Sequence, residues 1–288
     1  VFDIYKQIIG IDKDPVLMMD TDSVYFDLQK LVDKHCVGKT DAEIVDFLEK
    51  FVMKIIQPKL NAELSKFAKT MGIDDCKIFF KLECIGSSIV IKAKKKYAFD
   101  ILYSEGVRYK EKKMKVMGIE IVRSSTPSVV KDSLKKTLAL VLRGTEEDVQ
   151  KKVSEIKKEF MTYDYQQISF PRGCNGLSTY ASNSSIYQKG CPMQVRGALL
   201  YNHHLKKNGL DSKYPLIGDG EKIKFVALKM PNPIHENVIA FPGKLPKELG
   251  LEKYVDYKVQ FQKAFVKPMD DILECIGWTS VPVITLDC

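Results

Sequence analysis

The sequence predicts an α+β fold in two parts: an antiparallel sheet with helices up to residue 118, then a largely helical part with short strands. Three observations carry that expectation. β-Prone runs flank a short polar turn at Asp20–Ser23. Strand-like segments crowd residues 77–109. Apolar residues at helical spacing dominate 40–71 and 128–160.

The elements follow in order. Pro15-Val16-Leu17-Met18-Met19 is apolar, Asp20 to Ser23 interrupts it, and Val24-Tyr25-Phe26-Asp27-Leu28 resumes, which reads as a hairpin. Ile44, Phe47, Leu48, Phe51 and Ile55 mark a helix with Thr40 or Asp41 as N-cap. Pro58 is expected to break or kink it, with Leu60, Leu64, Phe67 and Met71 continuing until Gly72. Strands are expected at Lys77–Glu83, Ser88–Ile91 and Lys96–Tyr103, with a hairpin turn at Glu105-Gly106 before Val107-Arg108-Tyr109. After Met117-Gly118 the character changes. Ser125-Thr126-Pro127 opens a helix whose buried stripe is Val130, Leu134, Leu138 and Val141, and Gly144 ends it. Thr145 caps the next helix, with Asp148 completing an imperfect capping box and Val149, Val153, Ile156 and Phe160 facing inward. Residues 169–192, rich in Ser, Gly, Asn and Pro, read as a long loop. The domain cut falls near 118, giving 1–118 and 119–288.

Composition narrows the class. The chain has 288 residues, 45% hydrophobic and 28% charged, which is a globular rather than a disordered composition. No apolar run reaches the ~18 residues of a membrane span. The opening Val1-Phe2-Asp3-Ile4-Tyr5-Lys6 is neither a signal peptide nor a basic transit segment, and it lacks Met, so the reading frame is expected to begin upstream. Seven cysteines, none in a Cys-x-x-Cys pair, argue against a disulfide framework or zinc site and favour a reducing, cytoplasmic compartment. His203-His204 has no neighbouring ligand at metal spacing. Net charge is +8, and it is concentrated. Lys92, Lys94, Lys95, Lys96, Arg108, Lys110, Lys112, Lys113 and Lys115 stand against Asp100, Glu105 and Glu111, so nine basic and three acidic residues give +6 within residues 92–115. Such a window either recruits a polyanion or forms a solvated lysine face, and composition leaves both open.

The chemistry starts at the polar turn. Asp20 and Asp22 are two apart, so an extended backbone projects both carboxylates to one face. Two hard oxygen donors at a strand end suit Mg²⁺, and rigid carboxylates in a cleft are what metal-assisted phosphoryl or nucleotidyl transfer requires. A calcium loop starting at Asp20 would need Gly and Glu where Tyr25 and Leu31 stand. Gly38-Lys39-Thr40 would end a phosphate-binding loop only with Gly in place of Asp33. A plain surface turn remains a third reading of the Asp pair.

Context gives a resemblance. An apolar strand, Asp20-Thr21-Asp22-Ser23 and an aromatic strand resemble motif C of family B DNA polymerases. Lys92-Ala93-Lys94-Lys95-Lys96-Tyr97 resembles that family's basic Lys-Lys-Arg-Tyr segment, with Lys96 in place of Arg. Met117-Gly118-Ile119-Glu120 and Ser124-Ser125-Thr126-Pro127 resemble the palm-to-thumb junction. Cys191-Pro192, Arg196-Gly197, Ile239-Ala240-Phe241-Pro242 and Phe261–Pro268 resemble thumb segments of T-even-type phage polymerases. The family usually has Tyr-Gly before the Asp-Thr-Asp-Ser; Met18-Met19 stands here.

The resemblance implies a fold, sites and partners. Residues 1–118 would be the C-terminal part of a palm and 119–288 a thumb with a β-containing tip. Asp22 would be the direct metal ligand, Asp20 would shape the site, and Glu83 would be a further carboxylate near two Mg²⁺ ions. Lys92, Lys94, Lys95, Lys96, Tyr97, Ser125 and Thr126 would hold primer-template DNA, in keeping with lysines that bind phosphate without reading sequence. The substrates would be a dNTP and a primer 3′-hydroxyl. The other catalytic strand, the nucleotide-binding helix and the exonuclease motif precede motif C in the family and have no counterpart here, which implies an N-terminal partner polypeptide that completes the enzyme. Phage polymerases of this type end in a Leu- and Phe-rich peptide that docks on a sliding clamp. The ending Val283-Ile284-Thr285-Leu286-Asp287-Cys288 lacks terminal aromatics, so clamp docking is not expected unless the tail continues. A DNA-binding module that kept the fold without the chemistry is the alternative.

Overall fold

A computed structural model describes residues 6, 14–119, 121 and 123–282. Most of the opening segment, Glu120 of the junction motif and the tail Val283–Cys288 lie outside them. The chain divides into two compact units, Val1–Met117 and Gly118–Cys288. The α+β expectation holds: the three sheets among the described residues are all antiparallel, and helices flank them.

In the first unit, β1 (Val16–Met19) and β2 (Val24–Phe26) form the expected hairpin. Met19 pairs with Val24 and Met18 with Tyr25, and a bulge separates Met18 from the Val16–Phe26 pair. The Asp20 N–H donates to the Ser23 carbonyl at 2.9 Å and closes the turn. A seven-residue helix, α1 (Gln29–His35), follows; two turns are too few to register as a periodic stripe. α2 (Asp41–Phe51) starts at Thr40, whose hydroxyl accepts the Glu43 N–H while the Glu43 carboxylate accepts the Thr40 N–H, a full capping box.

Pro58 neither breaks nor stops the helix. α2 passes through a wide turn at Val52–Ile56 into α3 (Gln57–Thr70), and Gln57 N–H reaches the Val52 carbonyl five residues back. The widened π turn takes up the proline, which has no N–H to offer and would crowd a regular turn. The expected apolar stripe also fades: Leu60 and Leu64 are half-buried, but Phe67 and Met71 are exposed. Lys77–Glu83 is not a strand, contrary to expectation. It runs extended beside α3, where Asn61 both donates to the Phe80 carbonyl and accepts its N–H, and Gln57 accepts the Leu82 N–H. Side chains of α3 thus take the Phe80 N–H and carbonyl and the Leu82 N–H, groups that a strand would commit to a ladder.

The main sheet has order β3-β4-β5, with β3 at Cys84–Ala93, β4 at Lys96–Ser104 and β5 at Val107–Met117. Glu105 and Gly106 both take positive φ, the geometry of a tight two-residue hairpin turn. The core joins helices to sheet: Leu31 of α1, Val45 and Leu48 of α2, and Ile85, Leu102 and Tyr103 of the sheet pack together.

In the second unit, α4 (Ser128–Arg143) and α5 (Glu146–Phe160) carry the expected stripes, all buried. After a short helix, α6 (Tyr165–Ile168), the Ser- and Gly-rich stretch holds more order than expected: β6 (Phe170–Gly173) and α7 (Leu177–Tyr180) punctuate it. β6 pairs with β7 (Lys222–Ala227), which pairs with β8 (Val238–Phe241). α8 (Met193–Lys207) packs on β8 where Gly197 lets the backbones approach, since a Cβ there would meet the Ala240 amide nitrogen at 2.8 Å. α9 (Tyr257–Phe261) runs through a second π turn, Gln262–Val266, into α10 (Lys267–Leu273), again with a proline just beyond it, Pro268. Gln260, buried, ties α9 to the unit by donating to the Ile168 carbonyl at 2.7 Å and accepting the Ala227 N–H at 3.2 Å.

Candidate metal centre and nucleic-acid interface

The β1–β2 turn presents its carboxylates at the strand end. Asp20 is half-buried and Asp22 exposed. The Asp20 carboxylate is held locally, accepting the Thr21 N–H at 2.8 Å and, weakly, the Thr21 hydroxyl at 3.4 Å. Met18 is half-buried against Tyr25 in the ladder and Met19 is exposed, so the two methionines leave the turn itself intact.

Folding brings a second hairpin to this turn. Ala93 pairs with Lys96, so Lys94 and Lys95 form the tip between β3 and β4. Lys95 adopts φ 61°, a left-handed conformation that Gly or Asn would adopt more easily. Its ammonium lies 3.9 Å from the Asp20 carboxylate. Lys94 and Lys95 are exposed, and Lys92 and Lys96 half-buried. The aromatic side of each hairpin also meets: Tyr25 of β2 and Tyr97 of β4 place their hydroxyls 2.9 Å apart.

The basic window is not one uniform face. Arg108 binds Asp46 and Glu49 of α2, Lys112 lies 3.5 Å from Asp41, and Lys115 donates to Glu83 at 3.2 Å. β5 thus spends part of its charge on α2 and on the segment before β3, and the exposed lysines of the β3–β4 tip stand apart from those pairs. The sequence reading of +6 missed that division because it could not pair β5 with α2.

Glu83 is engaged with Lys115 and does not join the aspartates. Burial works against the Lys115 ammonium, but the hydrogen bond and charge of Glu83 raise its pKa on balance. Among the described residues no three His, Cys, Asp or Glu side chains gather into a metal-binding group. Two carboxylates nevertheless fit Mg²⁺, which keeps several waters and takes one or two carboxylates beside substrate phosphates. Ser125 and Thr126 belong to the second unit, in the turn before α4, where Ser125 is half-buried and Thr126 buried. Tyr97 is buried as well, at 7% exposure. Tyr25 was not singled out from sequence; an aromatic in an alternating strand gives no sign of which distant hydroxyl it will meet.

An acidic turn suited to a divalent cation, set beside a lysine-tipped hairpin suited to phosphates, is the equipment of a protein that handles nucleotides or nucleic acid. The comparisons with known proteins make the class specific. Residues 6–230 match the divergent family B DNA polymerase family. The chain is 30% identical over 292 aligned positions to the DNA-directed DNA polymerase of Enterobacteria phage T4, covering 96% of this chain and 32% of that protein. It is 33% identical over 272 positions to the DNA-directed DNA polymerase of Escherichia phage RB69, covering 88% of this chain and 29% of that one. This chain belongs to the family B DNA polymerases, and it spans about a third of the length of the curated relatives it matches.

Proposed function

We propose that this chain supplies the motif C carboxylates and the duplex grip of a template-directed DNA polymerase, with residues 1–118 as the C-terminal part of the palm and 119–288 as the thumb. The observation that carries this reading is the Asp20–Ser23 turn folded against the Lys94-Lys95 tip. Asp22, the more exposed carboxylate, holds Mg²⁺ directly, and Asp20, fixed by the Thr21 N–H, shapes the turn. When bound, the metal stabilises negative charge on the phosphoryl group during attack by the primer 3′-oxygen. The lysines of the β3–β4 tip hold duplex phosphates and set the primer end near the turn, a positional and electrostatic contribution. Lys92 and Lys96, at the strand ends beside the tip, extend that grip, and Ser125 and Thr126 are assigned to it from the second unit. Glu83 binds Lys115, and no metal-binding role is assigned to it in this reading.

Two carboxylates do not complete a two-metal centre. The remaining ligand, an aspartate on another strand, belongs to polymerase segments outside this sequence, supplied by an N-terminal polypeptide that also carries the dNTP-binding helix. The chain alone is inactive in this reading, and docking on a sliding clamp is not assigned to it.

The test is primer extension with this chain combined with the polypeptide carrying the missing segments. Mg²⁺-dependent incorporation is expected, and Asp22→Ala should abolish it while duplex affinity stays within about twofold, because phosphate contacts set that affinity. Near-normal incorporation by Asp22→Ala would sink the assignment. Duplex binding without incorporation by the wild-type assembly would identify a DNA-binding module instead.

A further inference from the structure

The extended segment Lys77–Glu83 has one edge occupied and one open. Toward α3, Asn61 accepts the Phe80 N–H at 2.6 Å and donates to the Phe80 carbonyl at 3.0 Å, and Gln57 accepts the Leu82 N–H at 3.2 Å. In an extended chain the N–H and C=O of one residue point to one edge and those of the next residue to the other. The backbone groups of Phe79 and Lys81 therefore point away from α3, and among the described residues they have no hydrogen-bond partner. Ile78 and Phe79 project to opposite faces, yet they are 73% and 67% exposed. Phe67 and Met71, at the C-terminal end of α3, are exposed as well. Single exposed apolar side chains are ordinary, but a cluster of them beside an unpaired strand edge marks an interface.

We propose that this segment is a strand-addition edge: one β-strand from the polymerase segments outside this sequence pairs with the Phe79 and Lys81 backbone, and Asn61 and Gln57 hold the edge ready for it. The proposal rests on the polymerase reading above. This chain covers only 32% and 29% of the two phage polymerases, so an enzyme of that length has most of its mass to pack against surfaces such as this one. The strand propensity of Ile78-Phe79-Phe80, left without a ladder in this chain, is satisfied when a strand is added. Ile78, Phe80 and Leu82 share one face, and Leu82 packs on the core of the first unit, so the incoming strand carries apolar side chains on that face. A second copy of this chain fits less well. Antiparallel pairing of the edge with itself about Phe79 would set Lys77 opposite Lys81, and like charges directly opposite destabilise a strand pair.

The test combines this chain with the polypeptide carrying the missing segments and reads affinity and amide hydrogen exchange. In the chain alone, the Phe79 and Lys81 amides should exchange freely and the Phe80 amide more slowly. In the complex, exchange at Phe79 and Lys81 should slow on the order of a hundredfold, because opening then has to break the new ladder. Phe79→Pro removes an N–H that this chain does not use and suits an extended backbone. It should leave the thermal midpoint of the chain unchanged and weaken association by about tenfold or more, since a ladder bond and an apolar contact are both lost. Asn61→Ala leaves the open edge intact but releases its support. It should weaken association roughly fivefold while the exchange pattern of the saturated complex stays the same.

A complex that forms with free exchange at Phe79 and Lys81 would overturn the proposal, because the interface would then lie elsewhere. So would wild-type affinity in Phe79→Pro, or the absence of any association. Unchanged affinity in Asn61→Ala would refute the role given to α3. Protection that grows with the concentration of this chain alone would make the occupant a second copy and overturn the proposal equally. The polymerase reading fails separately. A complex that protects Phe79 and Lys81 but incorporates no nucleotide would refute that reading and leave the strand-addition edge in place.

Discussion

The ammonium of Lys95 and the carboxylate of Asp20 stand 3.9 Å apart at the tips of two different hairpins. The lysine side chain is 72% exposed and the aspartate 30%. Pairs this exposed contribute about 0–1 kcal/mol, so solvent and other ions compete for both groups. Asp20→Asn is therefore expected to leave thermal stability nearly unchanged. It removes a negative charge beside a phosphate-binding lysine, so metal-free duplex binding should tighten. Fluorescence anisotropy in chelator at low salt checks this, and weaker binding would count against placing the β3–β4 tip on the duplex.

Lys95 also separates stability from function at one position. Its φ of 61° costs a side chain on the order of 1–2 kcal/mol that glycine avoids. Lys95→Gly should raise the stability of the first unit by up to about 1 kcal/mol. The same change should weaken duplex binding and reduce the log–log salt slope by about 0.9, one phosphate's share. Denaturant unfolding and a salt titration of duplex affinity give the two readouts. A variant both more stable and equally good at binding duplex would show that Lys95 makes no phosphate contact.

The Arg196-Gly197 resemblance has a packing cause. α8 lies on β8 so closely that a Cβ at Gly197 would meet the Ala240 nitrogen at 2.8 Å and the Ala240 Cβ at 3.1 Å. The nearest atom is backbone, which cannot rotate away as a flexible side chain would. Gly197→Ala should destabilise the second unit by about 1–3 kcal/mol despite its better helix propensity. A gain in stability would mean that helix and strand separate without cost. Arg196, next along, donates to the Asn237 side chain at 2.5 Å and lies over the Tyr187 ring, so the two residues of that motif do different work.

Local signals were legible and long-range pairings were not. Thr40, Thr145 and the Glu105-Gly106 turn could be read from sequence because capping and turn chemistry involve residues a few positions apart. The buried stripes of α4 and α5 were legible for the same reason. Lys77–Glu83 misled because its strand propensity is genuine, but Asn61 and Gln57 take the Phe80 and Leu82 backbone groups. Phe67 and Met71 misled because helical spacing identifies a face without saying whether anything covers it. At the site, Asp20 and Asp22 were visible as a spacing. The partners of Asp20 and Tyr25 lie across the chain on β3–β4, and no local pattern specifies them.

The start of α5 offers a test at acid pH. The Thr145 hydroxyl accepts the Asp148 N–H, and the Asp148 carboxylate accepts both the Thr145 hydroxyl, at 2.8 Å, and the Thr145 N–H, at 2.9 Å. Those bonds, the hydroxyl's first and the backbone's second, hold the Asp148 carboxyl below its usual range. A carboxylate with a depressed folded-state pKa stabilises fully above its unfolded value, near 3.9. That contribution fades as pH falls through the lower folded-state value. Thr145→Ala should therefore cost about 1 kcal/mol at neutral pH, the usual worth of such a cap. The gap between wild type and variant should narrow as the pH is taken below about 4, where the carboxylate protonates in both. Thermal unfolding of the two proteins across pH 2–7, a range chosen around the ~3.9 reference value, measures the gap directly. A pH-independent difference would mean that Thr145 stabilises α5 through its own hydroxyl alone, with no share carried by the ionised Asp148.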